Sequence, residues 1–589
     1  MSQDENKLQI SESTNIIDDS KVKDIPQMSS EPVNSVEKEP VNVTEKESVN
    51  VEEKEFANSA KKDYKLQLPS DNNVVVEVLE TIDDNEPKFS MNKTQVLLVF
   101  VGLALAIFLA ALDQTIVATA LPAIALEFNA LDQIAWVGTA YLLTATAFQP
   151  TYGSLSDIFG RKPVFLTAIF LFEIGSLLCG LSVNMTMLII SRAVAGIGGG
   201  GLIGLVLIII SEIVPIKERG KYQGMIGGCF GVASVVGPLL GGAFTDKVTW
   251  RWAFFINLPL GVITFIAVVV FLHLPIPTGS FWSKLARIDW LGAFVLVVAT
   301  ILLLLPLNWA GSTYAWSDPH IIILLCLGGV GYIIFILIEA KFAVQPIAPL
   351  HLFKNFKVAS CFSINLFHGM TFFALVFFIP LYFQVVKSES ATTSGLELLP
   401  LIMGVVVLSI LSGQLVSRTV YFTYGSLCIL GSILMAIGSG LISTLTEDSS
   451  KGQMIGYLLI AGVGVGFIIQ ITVLAGQGIV EPKDIATVTS LLTFFRTMGA
   501  VFGVAILGSV FNNVFNSNLP SQFQGSLNSF GPHMSGQAPP FIIHDFVIAL
   551  EAAFKVVIAF SVLTFISSLP LITVRPHRDN EPEGMPSLG

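Results

Sequence analysis

Polar positions crowd the first 92 residues of the 589-residue chain, and long apolar runs take over after them. Fourteen runs stand out: 96–118, 134–153, 164–183, 186–209, 222–244, 252–272, 288–308, 321–340, 358–383, 395–417, 422–444, 453–475, 486–511 and 554–574. Each is close to the roughly 20 residues that cross a ~30 Å hydrocarbon core. In lipid the backbone must hydrogen-bond to itself, so the pattern predicts fourteen transmembrane helices in an all-α integral membrane protein. Composition agrees, since 53% hydrophobic and 13% charged residues exclude an ordinary soluble globule and a disordered chain. No cleavable signal peptide is visible, so the first run is expected to act as its own insertion signal.

The acid excess sits in one place. Residues 1–92 hold 21 acidic and 10 basic side chains, a net of −11, which equals the net charge of the whole chain. The low isoelectric point therefore belongs to the tail and says nothing of a substrate. The tail repeats every eight residues, as in Glu31-Pro32-Val33-Asn34 and Glu39-Pro40-Val41-Asn42, and has few large apolar residues. Such a segment cannot offset its ordering entropy and is expected to be disordered. Lys and Arg set the topology. Loops after even-numbered runs carry Arg161, Lys162, Lys217, Arg219, Lys221, Lys284, Arg287, Lys341, Lys354, Lys357, Arg418 and Lys483. Loops after odd-numbered runs carry only Lys247, Arg251, Lys387 and Lys451. Both termini are then cytoplasmic, and Trp250 and Trp252 lie at the outer face as interfacial aromatics. The five cysteines all fall within apolar runs, without zinc-ligand spacing, and are expected to be packing residues.

The second run ends in Gly153-Ser154-Leu155-Ser156-Asp157-Ile158-Phe159-Gly160-Arg161-Lys162. Gly153 and Gly160 allow close approach and turning, while Asp157, Arg161 and Lys162 supply charges able to latch and release. A degenerate copy, Gly413-Gln414-Leu415-Val416-Ser417-Arg418, follows the tenth run and hints at an internal repeat. Charges inside the runs are costly and face a cavity or a partner. Asp113 and Arg192 fall at nearly the same depth and are expected to pair, with Asp113 protonated and released in a proton-coupled cycle. Glu173 lies mid-run as a further proton site or as a polar contact of a water-filled path. Glu212 and Glu339, near run ends, are expected to be structural. The fifth run carries Gly231, Gly237, Pro238, Gly241 and Gly242, a seam of small residues with a bend. Candidate lining residues for an amphiphilic ligand are Asn365, His368, Phe372, Gln470 and Arg496. Gly196-Ile197-Gly198-Gly199-Gly200-Gly201 fits a dinucleotide fingerprint, yet no strand precedes it, so helix packing is the expected role. No phosphate-binding loop, metal cluster or nucleophile–base pair appears, so neither an enzyme nor a metal site is expected.

Taken together, these motifs resemble the major facilitator superfamily, in its 14-spanner drug:proton antiporter branch of fungal type. The resemblance runs from about residue 93 to 576. Gly153 to Lys162 resembles the loop 2–3 motif, Arg192 with Gly196 the fourth-helix motif, and Gly231 through Gly237-Pro238 to Gly241-Gly242 the antiporter motif. Leu112-Asp113-Gln114-Thr115-Ile116-Val117, Ile379-Pro380-Leu381-Tyr382-Phe383-Gln384 and Phe495-Arg496 are similar to the 14-helix branch. It implies a disordered acidic cytoplasmic tail (1–92), a six-helix domain (93–274), a linker with an inserted helix pair (275–342), a second six-helix domain (343–576) and a short cytoplasmic tail (577–589). It implies alternating access, with Asp113 and Arg192 near the coupling region. The expected activity is export of drugs, toxins or secondary metabolites against protons, driven by the proton gradient without a cofactor. The partners are then an amphiphilic small molecule, protons and the lipid bilayer, not nucleic acid, and the unit is a monomer in the plasma membrane. A siderophore transporter or a vacuolar basic amino-acid transporter shares much of this skeleton and is the alternative. A non-transporting sensor would need a folded cytoplasmic signalling segment.

Overall fold

The computed structural model describes residues 92–130, 133–310, 314–418, 422–519 and 540–575. The readings of the N-terminal tail and of residues 577–589 lie outside them. Fourteen long helices carry the architecture, and no strand occurs among the described residues. In the first half these are α1 (Lys93–Phe128), α2 (Ile134–Phe159), α3 (Arg161–Gly180), α4 (Met185–Ile213), α5 (Ile216–Lys247) and α6 (Asn257–Phe271), the last preceded by the single turn Trp252–Phe255. A pair follows, α7 (Trp290–Trp309) and α8 (Pro319–Lys341). The second half comprises α9 (Phe356–Val385), α10 (Leu399–Arg418), α11 (Tyr424–Ile442), α12 (Lys451–Ile479), α13 (Ile485–Asn518) and α14 (Pro540–Ser568).

Thirteen of the described helices are long and apolar enough to cross a membrane. The exception is α2. At 26 residues it is long enough, but it carries Thr144, Thr146, Gln149, Thr151, Ser154, Ser156 and Asp157. It packs against α4, α7 and α13, so protein rather than lipid meets much of its polar surface. The predicted helix count stands, and α2 shows why apolarity alone underrates an interior helix.

Packing repeats between the halves. In the first, α1 touches α5 and α6, α2 touches α4, and α3 touches α4 and α6. In the second, α9 touches α13 and α14, α10 touches α12, and α11 touches α12 and α14. The same pairings recur in the same order, so the degenerate motif after α10 does mark an internal repeat. The halves meet where α5 packs on α10 and α2 on α13, which exchange under that repeat. The pair α7–α8 lies beside this seam, with α7 against both α2 and α13.

The glycine run in α4 is a packing surface. A Cβ on Gly198 would stand 2.4 Å from the Phe172 nitrogen, and one on Gly200 2.4 Å from the Ala145 carbonyl. Backbones on two sides leave no room for a side chain, which accounts for the false fingerprint.

Trp250 corrects one expectation. It is buried, and its indole donates to Glu127 Oε2 at 2.6 Å, whereas Trp252 alone is exposed. Arg251 lies over the Trp250 ring at 4.4 Å and donates to Glu127 Oε1 at 2.8 Å and to the Ser182 carbonyl at 3.0 Å. Glu127 thus ties the end of α1 to the loops after α3 and α5, and an aromatic-rich loop hides a clamp. Burial pushes the Glu127 carboxyl up, but the Trp250 and Arg251 hydrogen bonds outweigh it and leave the group below its ordinary value.

Two stability measurements follow. Gly200→Leu should cost ~1–3 kcal/mol through overpacking and lower the unfolding temperature in detergent. Gly204→Ala, one turn on with nothing within 4 Å of an added Cβ, should not; equal losses would refute the packing assignment. Glu127, with its lowered folded value, stabilises above its unfolded value and loses that contribution as pH falls through the folded one. The gap in unfolding temperature between the unsubstituted protein and Glu127→Gln should therefore narrow on acidification from neutral pH, and a constant gap would remove the carboxylate from the clamp.

Candidate functional site

Asp113 on α1 is fully buried and sits against Arg192 on α4, with Oδ2 2.6 Å from Nη1. Its other oxygen accepts from Asn257 Nδ2 on α6 at 3.0 Å. The Asn257 amide also reaches Ser176 Oγ on α3 at 2.8 Å, and Ser176 donates to the Phe254 carbonyl at 3.1 Å. Arg192 Nε donates to the Val137 carbonyl on α2 at 3.1 Å, and its guanidinium lies over the Tyr141 ring at 4.3 Å. Five helices thus converge on one carboxylate. Each ion left alone here would be expensive, and breaking such a pair typically costs about 3–5 kcal/mol.

Glu173 lies next to this cluster. It precedes Ser176 by three residues on α3, hence on the same face, and opposes Gly261, which follows Asn257 by four on α6. A Cβ on Gly261 would overlap the Glu173 carboxyl at 1.7 Å. Both Glu173 oxygens are buried without a hydrogen-bond partner. The Glu173–Gly261 level therefore lies about 5 Å, one helical turn, from the Asn257–Ser176 level, on the side of Arg161 and Lys162.

The loop after α2 combines a glycine turn with ion pairs. Gly160 has φ +99°, a conformation that side chains resist. Arg161 bonds Asp157 Oδ1 at 2.6 Å and Glu212 Oε1 on α4 at 2.7 Å, and Lys162 donates to the Val269 carbonyl on α6 at 2.8 Å. These partners all belong to the first half. Contact with the second half comes from Gly153, where a Cβ would meet Ser490 Oγ at 2.6 Å and the Ala486 carbonyl at 3.1 Å on α13. Glu339 accepts from the Ile347 and Ala348 amides at 3.0 and 3.3 Å, a structural role like that of Glu212.

The glycines of α5 divide their work. A Cβ on Gly231 would stand 2.4 Å from Val406 of α10, whereas Cβ atoms on Gly237 and Gly241 would meet Thr115 and Thr119 of α1 at 2.0 and 2.3 Å. Pro238 is accommodated inside the helix. Gly242 has nothing within 4 Å of an added Cβ. Nearer the Arg161 end, Gly220 and Gly413 meet backbone to backbone, and a Cβ on Gly413 would stand 2.4 Å from the Gly220 carbonyl.

The candidate lining residues separate. Asn365 is buried and returns a bond to the Cys361 carbonyl at 2.9 Å. His368 is fully buried, with Nε2 3.3 Å from the Val465 carbonyl, and its ring stacks 6.3 Å from that of Phe372. Gln470 donates to Gln223 of α5 across the seam. Gln223 in turn donates to Gln477 at 3.3 Å, and Gln477 to Thr489 at 3.0 Å. Arg496 is half-buried, with no bonding partner among the described residues. Asn257, Ser176 and Gln223 were missed in the sequence. Asn257 was the one amide of its apolar run, Ser176 was one of several small hydroxyl residues in its own, and Gln223 followed basic residues that drew attention to topology.

Residues 103–504 match the Major Facilitator Superfamily. The chain belongs to that superfamily. Its fungal relatives include the MFS-type efflux pump MFS1 of Arthroderma benhamiae, 39% identical over 75% of this chain and 82% of that protein. Efflux pump roqT of Penicillium rubens is 35% identical over 80% and 89%, and efflux pump aflT of Aspergillus parasiticus 38% over 72% and 82%. The human organic anion transporter MFSD10, at 15% identity, shares the fold with a TM-score of 0.53, covering 80% of this chain and 99% of its own. This superfamily member is thus a multi-pass transporter whose relatives are efflux pumps.

The close approach of Gly220 and Gly413 makes a prediction for this transporter. Gly413→Val should hold the halves apart at the Arg161 end. With native cysteines replaced and Ser490→Cys introduced, a water-soluble maleimide should label the thiol faster in the valine variant. Unchanged labelling would show that this contact does not control closure.

Proposed function

We propose that the protein exports small organic compounds by proton antiport and alternating access, at the plasma membrane with the Arg161 end and both termini in the cytoplasm. The carrying observation is a fully buried Asp113, shared between Arg192 and Asn257, with partnerless Glu173 one turn nearer the cytoplasmic end. Protonating Asp113 removes the charge that holds Arg192 and loosens α1 from α4. Glu173 offers the next stop for a proton moving inward. The chain's resemblance to named fungal efflux pumps supports outward movement of the compound. Gln223 bonds Gln470 and Gln477 across the seam, and these bonds part when the cytoplasmic side opens. A single chain holds the whole path, so the working unit is a monomer.

The test is transport in proteoliposomes with an imposed pH gradient, using cationic, neutral and acidic fluorescent compounds. The unsubstituted protein should accumulate a compound against its gradient, and a protonophore should abolish this. Asp113→Asn should lose gradient-driven accumulation while keeping substrate exchange at equal pH. Normal pumping by Asp113→Asn would remove Asp113 from coupling.

A further inference from the structure

The first half balances its buried charges, and the second half does not. Arg192 has Asp113, and Glu173 can neutralise itself by taking a proton. A guanidinium cannot shed its proton in a protein. Arg496 must therefore stay charged at membrane depth, where cations face a partner or a water-filled cavity.

The position of Arg496 excludes the lipid face. Thr489 and Leu492 precede it by seven and four residues on the same side of α13. They face α12, through the Gln477–Thr489 bond and a 2.7 Å approach of a Gly476 Cβ to Leu492. On the α9 side, a Cβ on Gly369 would stand 2.1 Å from the Arg496 carbonyl. Arg496 thus sits in the groove between α9 and α12. The next residue, Thr497, bonds Gln149 of α2 at 3.2 Å, so this groove opens on the seam between the halves. His368, beside Gly369, is fully buried, and its Nδ1 has no partner. Phe372 stacks near its ring. A half-buried cation and an unpartnered imidazole nitrogen therefore adjoin at one place in the second half, with an aromatic wall and no carboxylate bonded to either among the described residues.

We propose that Arg496, with His368 beside it, anchors an acidic group of the substrate, so that the compounds moved are amphiphilic organic acids carried as anions. This deepens the export reading and rests on it only for direction. The guanidinium fork matches a carboxylate in two parallel bonds, and the substrate supplies the counter-charge that the protein omits. The Phe372 wall suits an aromatic body.

The probes are 1-naphthaleneacetic acid, its neutral amide and the permanent cation tetraphenylphosphonium. Binding is read first, by thermal shift of the full-length protein in detergent, which needs no proton gradient. The acid should raise the unfolding temperature of the unsubstituted protein, and the amide and the cation should not. Arg496→Gln should weaken acid binding roughly tenfold or more, the loss of one charge-assisted contact, and Arg496→Lys should recover part of it. Circular dichroism and gel filtration confirm that each variant is folded, and Arg496→Lys carries the test should Arg496→Gln fail to fold. Transport of the same probes is read in proteoliposomes. Acid binding that depends on Arg496, without proton-driven transport of any probe, would sink the export reading and leave the anion site standing. Equal binding of acid and amide, or acid binding indifferent to both Arg496 variants, would overturn the anion site, whether or not export is driven by protons.

Discussion

The buried Asp113–Arg192 pair fixes the geometry of the first half. Moving two ions out of water costs several kcal/mol each, and the pair alone does not repay that unless the remaining donors and acceptors are met. Here they are met by Asn257 from α6, the Val137 carbonyl from α2 and the Tyr141 ring. Meeting them requires α4 to lie backbone against backbone on α2 and α3, which the glycines at 196, 198 and 200 allow. The electrostatic demand and the glycine run are one constraint seen twice. The first half is rigid because loosening any of these helices exposes an unpaired ion.

The seam between the halves is built differently. No salt bridge crosses it among the described residues, since every ion pair there closes within its own half. Crossing contacts include glycines on backbone, as at Gly220 and Gly413, neutral amides and hydroxyls, as at Gln223 with Gln470 and Thr497 with Gln149, and apolar packing of Leu143 with Phe494 and Met498. A neutral hydrogen bond contributes about 1 kcal/mol net, and glycine contacts part without leaving a hole. With no ion pair to break, such a seam parts without leaving an unpaired buried charge, unlike the Asp113–Arg192 cluster.

Much of this was legible in the chain because lipid leaves the backbone few options. Thirteen of the described helices are long and apolar enough to span, and α2, legible as the run 134–153, falls short only because its polar side meets protein. Asp113 and Arg192 were legible because an ion inside an apolar run needs a partner at its own depth. Asn257 was not, since one amide in a run carries no sign of where it points. Trp250 misled because indoles at a helix end suit a lipid interface and a buried clamp equally. Only Glu127, over 120 positions away in the chain, decides between them. The charges of the Arg161 loop were legible as side chains able to pair, but their partners were not. Its ion pairs stay in the first half, while Gly153 of the same motif approaches α13.

The repeat makes the remaining asymmetry informative. Helices α9 and α12 stand where α1 and α4 stand in the first half, yet neither carries a carboxylate within its apolar length. Their buried polar residues include Asn365, His368 and the amides of Gln470 and Gln477, and Arg496 enters from α13. A fold made from two copies of one plan has therefore placed the buried carboxylates Asp113 and Glu173 in one copy and left the other with a fixed positive charge. In the first half Arg192 is met by Asp113 from within the protein. The second half bonds no carboxylate to Arg496 among the described residues, and under the anion-site proposal the ligand brings the acceptor. Under the proposed proton antiport, that division separates the coupling ion from the cargo in space, and the seam shared by both ties their movements together.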